Sequence, residues 1–216
     1  MLADRSTRDV DISGNLQSEP LALSERDAAI VHHIEQEGLT GFSFDGLRRL
    51  TGTHPETLSR ILERLEEVGI VARVPDGYAI TERARGQTSL SSSDHERTRI
   101  PLLHTLLPYD GREAVVVQSL KGKWFDRLRW IGTSQAEEGL TLKWVTEDGS
   151  VQLDARFSQG QLDIDARVRI GTDASSAVKL AHQLMSRITR LYSGQGRGVR
   201  MMFSATTDSS LRPAAM

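Results

Sequence analysis

The 216 residues predict an α+β protein. Helices and one tight hairpin fill the N-terminal half; an antiparallel sheet and one long amphipathic helix fill the C-terminal half. Three observations carry this. Between Ser24 and Val68, apolar residues recur at helical spacing in three runs broken by Gly38 and Gly52. Val151, Leu153, Ala155, Phe157 and then Leu162, Ile164, Ala166, Val168 alternate with polar residues, the period of a sheet with one buried and one wet face. Ala177, Leu180, Ala181, Leu184, Ile188 and Leu191 return to a helical stripe.

Residues 1–20 are polar and aperiodic and read as a mobile arm. A first domain spans 21–86. Ser24-Glu25-Arg26-Asp27 has the form of an N-cap with an acid three residues on, and Ala28, Ile30, Val31 and Ile34 continue the helix. Phe42 and Phe44 flank Ser43 in a very short strand or the start of a helix carrying Leu47 and Leu50. Thr53-His54-Pro55-Glu56 has the Thr-x-x-Glu form of a capping box, with proline tolerated in the first turn. The third helix then shows Leu58, Ile61, Leu62, Leu65 and Val68 on one stripe, and Gly69 stands just past its end. Ile70–Val74 and Tyr78–Thr81 read as strands about the turn Pro75-Asp76-Gly77, with Thr81 capping a short helix.

Ser-rich residues 87–100 read as a linker to a second domain, 101–205, and the tail 206–216 as disordered. In the second domain PLLHTLL (101–107) reads as a short helix. Strands are expected over Ala114–Ser119, Arg127–Ile131, Leu140–Val145, Val151–Phe157 and Leu162–Ile170, with Glu147-Asp148-Gly149 and Ser158-Gln159-Gly160 as hairpin turns. Thr172-Asp173 starts the long helix, and Val199–Ala205 returns to the sheet. The glycines of 194–198 follow a helix rather than a strand, so a flexible connection is expected there and not a phosphate loop.

The stretches TLSRILERLEEVGIV, VPDG and YAITERARG, in the order helix, tight turn, strand exit, resemble the winged helix-turn-helix domain of transcription regulators of the MarR and ArsR kind. Ala84 and Arg85 depart from the Gly-Arg usual at the wing exit. The resemblance covers residues 24–86 and implies a fold that places the second motif helix in the DNA major groove. On that helix it nominates His54, Thr57, Ser59 and Arg60, with Arg60 as the reader of guanine O6 and N7. Arg64 flanks the outward face, Thr53, Arg48 and Arg49 are placed to meet phosphates, and Arg73 lies beside the wing. Two-domain regulators of this layout are archaeal or bacterial, and one short recognition helix buries too little for specific affinity, so a homodimer on double-stranded DNA is expected.

Charge argues the other way. From Leu21 to Gly86 there are 8 Lys/Arg against 11 Asp/Glu, a net of −3, whereas phosphate neutralisation supplies most non-specific affinity for DNA. The rival reading is therefore a scaffold whose winged helix contacts protein, and a second rival is a ligand-binding domain with the winged helix as accessory. Leu120–Gly132, LKGKWFDRLRWIG, interleaves cations with aromatic rings. Lys121, Lys123, Trp124, Arg127 and Trp130 form a surface for a small-molecule or protein effector, stack on nucleic acid, or belong to a strand pair with core-facing rings and solvated cations.

The remaining features exclude more than they assign. The formal charge of −2, 38% hydrophobic and 26% charged residues describe a globular chain without a basic bias. No apolar run approaches a membrane span and the N-terminus lacks a signal-peptide core, so a cytoplasmic protein with no membrane partner is expected; the absence of cysteine is neutral about compartment. His32-His33 lacks the spacing of a helical metal pair, no nucleophile motif is present, and neither cofactor nor enzymatic activity is expected.

Overall fold

The computed structural model describes residues 23–85, 97–108, 111–137 and 139–193. The arm 1–20, the 194–198 connection, the return strand 199–205 and the tail 206–216 lie outside the described residues.

The N-terminal elements follow the local signals closely. Helix α1 (Glu25–Gln36) starts where the Ser24 hydroxyl accepts the Asp27 amide, and the two-residue strand β1 (Gly41–Phe42) follows. Helix α2 (Phe44–Thr51) begins where Ser43 accepts the Gly46 amide and stops at Gly52, whose φ of 65° suits glycine. Helix α3 (Pro55–Glu67) is capped differently from the expectation: His54 occupies the N-cap and no side chain bonds there. The Thr53–Glu56 capping box does not form, because Glu56 turns along the helix to Arg60 instead. The hairpin β2 (Val71–Val74) and β3 (Gly77–Ile80) closes over a two-residue turn, and α4 (Glu82–Arg85) is capped by the Thr81 hydroxyl.

The second half departs from expectation in three places. Arg97–Leu106 is a strand, β4, so residues 97–100 of the expected linker are extended, as is PLLHTLL through Leu106 rather than helical, and the rest of that linker, 87–96, lies outside the described residues. This strand lies at the edge of the sheet, where Pro101 withholds no ladder bond from a second neighbour, and the register shifts between Pro101 and Leu103. Glu113–Leu120 is a helix, α5, not a strand: its valines favour extended chain weakly, but Val116, Val117 and Leu120 share one helical face against the core. Strand β5 (Leu128–Ala136) runs five residues past the expected Arg127–Ile131, while β6 (Gly139–Thr146), β7 (Val151–Ser158), β8 (Gln161–Arg169) and helix α6 (Ala174–Ser193) match their patterns.

All eight strands join one antiparallel sheet in the order β2-β3-β1-β5-β6-β7-β8-β4. Its two faces carry separate cores. Trp130, Trp144, Leu153 and Ile164 point to the face covered by α5 and α6. On the other face Ile131 and Val145 join Ile34, Phe42, Leu47, Leu62 and Leu65 beneath the three N-terminal helices. The expected wet face is therefore only partly wet.

The two halves approach by backbone at Gly132 and Gly46. A Cβ at Gly132 would stand 2.2 Å from the Gly41 carbonyl oxygen, and one at Gly46 would stand 2.5 Å from that of Ile131. Backbone atoms cannot swing aside as a side-chain tip does. Gly132→Ala is expected to cost at least about 1–3 kcal/mol, the range for forced overpacking. A urea midpoint unchanged from the parent would show that the strands are not held this closely.

Candidate functional site

The apolar stripe of α3 fixes which side chains face outward. Leu58, Ile61, Leu62 and Leu65 are buried, so His54, Glu56 and Arg60 stand exposed near the start of the helix and Thr57 and Ser59 lie half-buried beside them. No other described element covers this end. The positive end of the helix dipole and the unbonded first-turn amides also face outward there.

The cations around it are engaged. Arg60 meets Glu56 at 2.6 Å, and Arg48 meets Asp45 at 3.4 Å. Arg64 reaches across to α1 and donates to both oxygens of Asp27, at 2.5 and 3.1 Å. That bidentate bond holds the buried Asp27 carboxyl below its usual range and clamps α3 to α1. Arg73 lies 3.6 Å from Glu66 and over the Tyr78 ring. Ser59 donates weakly to Glu63 at 3.4 Å, and the Thr53 amide donates to the Thr51 hydroxyl. Arg49 points into the second half, stacked 5.3 Å from the Trp124 centroid. The structure thus gathers His54, Thr57, Ser59 and Arg60 on one exposed turn and a half of helix. It gives Arg64 and Arg49 roles inside the fold.

The basic aromatic segment divides likewise. Trp130 is 6% exposed and packs edge-on against Trp144, so it belongs to the core rather than to a surface. Trp124 is 56% exposed and carries a second guanidinium, Arg129, 4.9 Å from its centroid. Lys123 is exposed, Lys121 half-buried, and Arg127 lies 3.8 Å from Asp148. Gly122 and Asp126 take positive φ, which turns the chain sharply on both sides of the tryptophan.

A charged cluster absent from the sequence reading sits where the end of α1 meets the polar face of the sheet. Glu37 accepts from Arg167 at 2.5 Å and from Gln152 at 2.9 Å, and Lys143 and Arg97 lie within 3.9 Å of it. Asp154 accepts from Lys143 at 3.0 Å and from Arg167 at 2.8 Å. Burial pushes the Asp154 carboxyl up, but the charges of Lys143 and Arg167 and the hydrogen bonds of Gln152 and Lys143 outweigh it, bringing it to about 2. The same two carboxylates raise Arg167 against its own burial. A cleft of about 460 Å³ opens beside the cluster, and farther along the face Arg99 pairs with Asp165 and His104 with Asp163. Glu37 carries no local signal for this role; Lys143, the lone charge in the run LTLKWVT, is the one position that hints at it.

No protein-family model, curated protein or solved structure matches the chain. No helix among the described residues is long and apolar enough to cross a membrane.

The Asp154 carboxyl titrates below its free value, so its contribution is present above about pH 4 and is lost as the pH falls toward 2. About 2 kcal/mol should disappear across that window. Asp154→Asn should cost about 3–5 kcal/mol at neutral pH, because Lys143 and Arg167 then stay buried with one carboxylate fewer. Denaturant melts at pH 7 and pH 2 check both; a variant as stable as its parent at pH 7 would make the cluster ornamental.

Proposed function

We propose that the chain is a sequence-specific regulator of transcription that binds double-stranded DNA as a homodimer. In this reading α2 and α3 form a helix-turn-helix about Gly52, the β2–β3 hairpin is its wing, and the C-terminal half senses an effector, dimerises, or does both. The observation that carries it is the bare start of α3, where His54, Glu56 and Arg60 stand exposed with the helix braced from behind by four buried aliphatic side chains. Such an end fits the major groove with its first turns against base edges.

The pairing of the surrounding cations shapes how that binding must work. Arg48, Arg60 and Arg73 each have a carboxylate within 4 Å, so few charges are free to displace counterions. Affinity on this reading comes from base contacts and from two half-sites read together, with a shallow dependence on salt. Arg60 must leave Glu56 to reach guanine. An exposed pair of this kind is worth only about 0–1 kcal/mol, a small barrier to that exchange. The protein-contact reading draws on the same pairing, since a net acidic, internally neutralised helix surface suits a basic protein partner as well.

Selection from a random duplex pool, followed by anisotropy titration of the enriched sequence, separates the two. Arg60→Ala should weaken the selected duplex by about 1–3 kcal/mol. Glu56→Gln, which releases Arg60, should tighten it by up to about fivefold. Failure to enrich any sequence, or an Arg60→Ala protein that binds the selected duplex like its parent, would hand the surface to a protein partner.

A further inference from the structure

The cations of the α2–α3 unit and of the charged cluster are largely matched by carboxylates. A different group is not. Lys123, Arg187 and Arg190 converge on one surface pocket of about 480 Å³, and among the described residues none of the three has a carboxylate within ion-pair distance. Arg187 and Arg190 stand one turn apart on the exposed side of α6. Trp124, Phe125, Gln183 and Asp126, the one carboxylate in the lining, make up the rest of the wall.

This pocket is built rather than incidental. The buried Trp144 indole donates to the Lys123 carbonyl at 2.9 Å, and Phe125 packs on the same indole with centroids 5.6 Å apart. The amides and carbonyls of Phe125 and Leu128 bond to each other, closing the turn between them. Gln183 of α6 donates to Asp126 across the pocket. The backbone of the Lys123–Leu128 turn and the Phe125 ring therefore hold their positions without a ligand, which lowers part of the ordering cost of binding one. A volume near 480 Å³ lies in the range of sites for small organic ligands.

We propose that this pocket binds a nucleoside phosphate, with the phosphate held by Lys123, Arg187 and Arg190 and the base against Trp124 and Phe125. Guanidinium groups without a carboxylate partner meet phosphate oxygens in pairs, Arg190 having only a weak bond from its Nε to the Ser186 carbonyl at 3.3 Å, and the part of the Trp124 ring left exposed beside Arg49 and Arg129 meets a planar base. The binding stands on this geometry alone. One consequence does rest on the DNA-binding reading: Arg49 of α2 stacks on Trp124, so occupancy is placed to alter the α2–α3 unit and its hold on a duplex.

The test is calorimetric titration of the full chain with adenosine monophosphate, adenosine diphosphate, adenosine, inorganic phosphate and a short random duplex. Tryptophan fluorescence is followed in parallel in the parent and in Trp124→Phe, so that the part of a change lost in the variant reports this ring rather than Trp144, which bonds to the same wall. Saturable binding of a nucleotide is expected, at least tenfold tighter than adenosine or phosphate alone. It should fall at least tenfold in Arg187→Ala/Arg190→Ala, whose exposed positions leave folding intact, and remain in Arg127→Ala, which removes a cation paired elsewhere. Absence of saturable binding by both nucleotides overturns the proposal. So does nucleotide affinity that the double variant leaves unchanged. Duplex binding without nucleotide binding, lost in Arg187→Ala/Arg190→Ala and kept in Arg60→Ala, also overturns it and assigns these cations to a nucleic-acid backbone. Nucleotide binding is read at residues that the groove reading does not use, so its failure is distinct from failure of that reading.

Discussion

Strand β5 serves two ladders and two cores at once. Its later residues pair with β6 on one side and, at Gly132 and Thr133, with β1 on the other. The register shifts between Trp130 and Gly132, and Ile131 sits in that irregularity. Trp130 faces the core under α5 and α6; Ile131 faces the core under the N-terminal helices. Adjacent strand residues point to opposite faces, so a single dipeptide ties both cores to the same backbone. The Ile131 carbonyl also accepts the Ser43 amide at the start of α2. Whatever holds β5 holds the α2–α3 unit in its orientation to the sheet.

The polar side of the same junction is bound by charge rather than by apolar contact. Glu37 ends α1 and reaches Arg97, Lys143 and Arg167 on three different strands. Buried ion pairs are poor sources of net stability but strict about geometry, since each partner left alone carries a large desolvation cost. The apolar contacts at Ile131 and Val145 supply the adhesion. The Glu37 cluster fixes the angle. A third contact, of the Arg49 and Arg129 guanidinium groups with the Trp124 ring, joins α2 to the loop that forms the proposed ligand pocket. The exposed end of α3 and that pocket are thus two surfaces of one continuous framework.

Patterns confined to a few neighbouring residues were legible from the chain. The alternation in 151–157 and 162–168, the stripe of α6 and the Gly52 and Gly69 stops all depend on local spacing, and each appears in the fold as read. Elements whose state depends on distant contacts were not. EAVVVQSL is helical because Val116, Val117 and Leu120 find the second core, and IPLLHTLL is extended because β8 offers it an edge. The exposed start of α3 was readable from its apolar stripe. The engagement of Arg64 was not, since Asp27 lies 37 residues away, nor was that of Glu37 with Arg167, 130 residues apart. Arg187 and Arg190 lie near the end of the α6 stripe, 64 and 67 residues from Lys123 in the chain; only the fold brings them beside Lys123 and Trp124.

The most direct test of this framework is native-state hydrogen exchange at two amides, Ser43 at the junction and Leu153 in the middle of the sheet. If β5 makes one cooperative unit of the two cores, both amides exchange through the same global opening, with one free energy and one dependence on denaturant. A Ser43 amide that exchanges through a separate, lower-energy opening while Leu153 stays protected would mean that the N-terminal helices detach on their own, and the coupling described here would not exist.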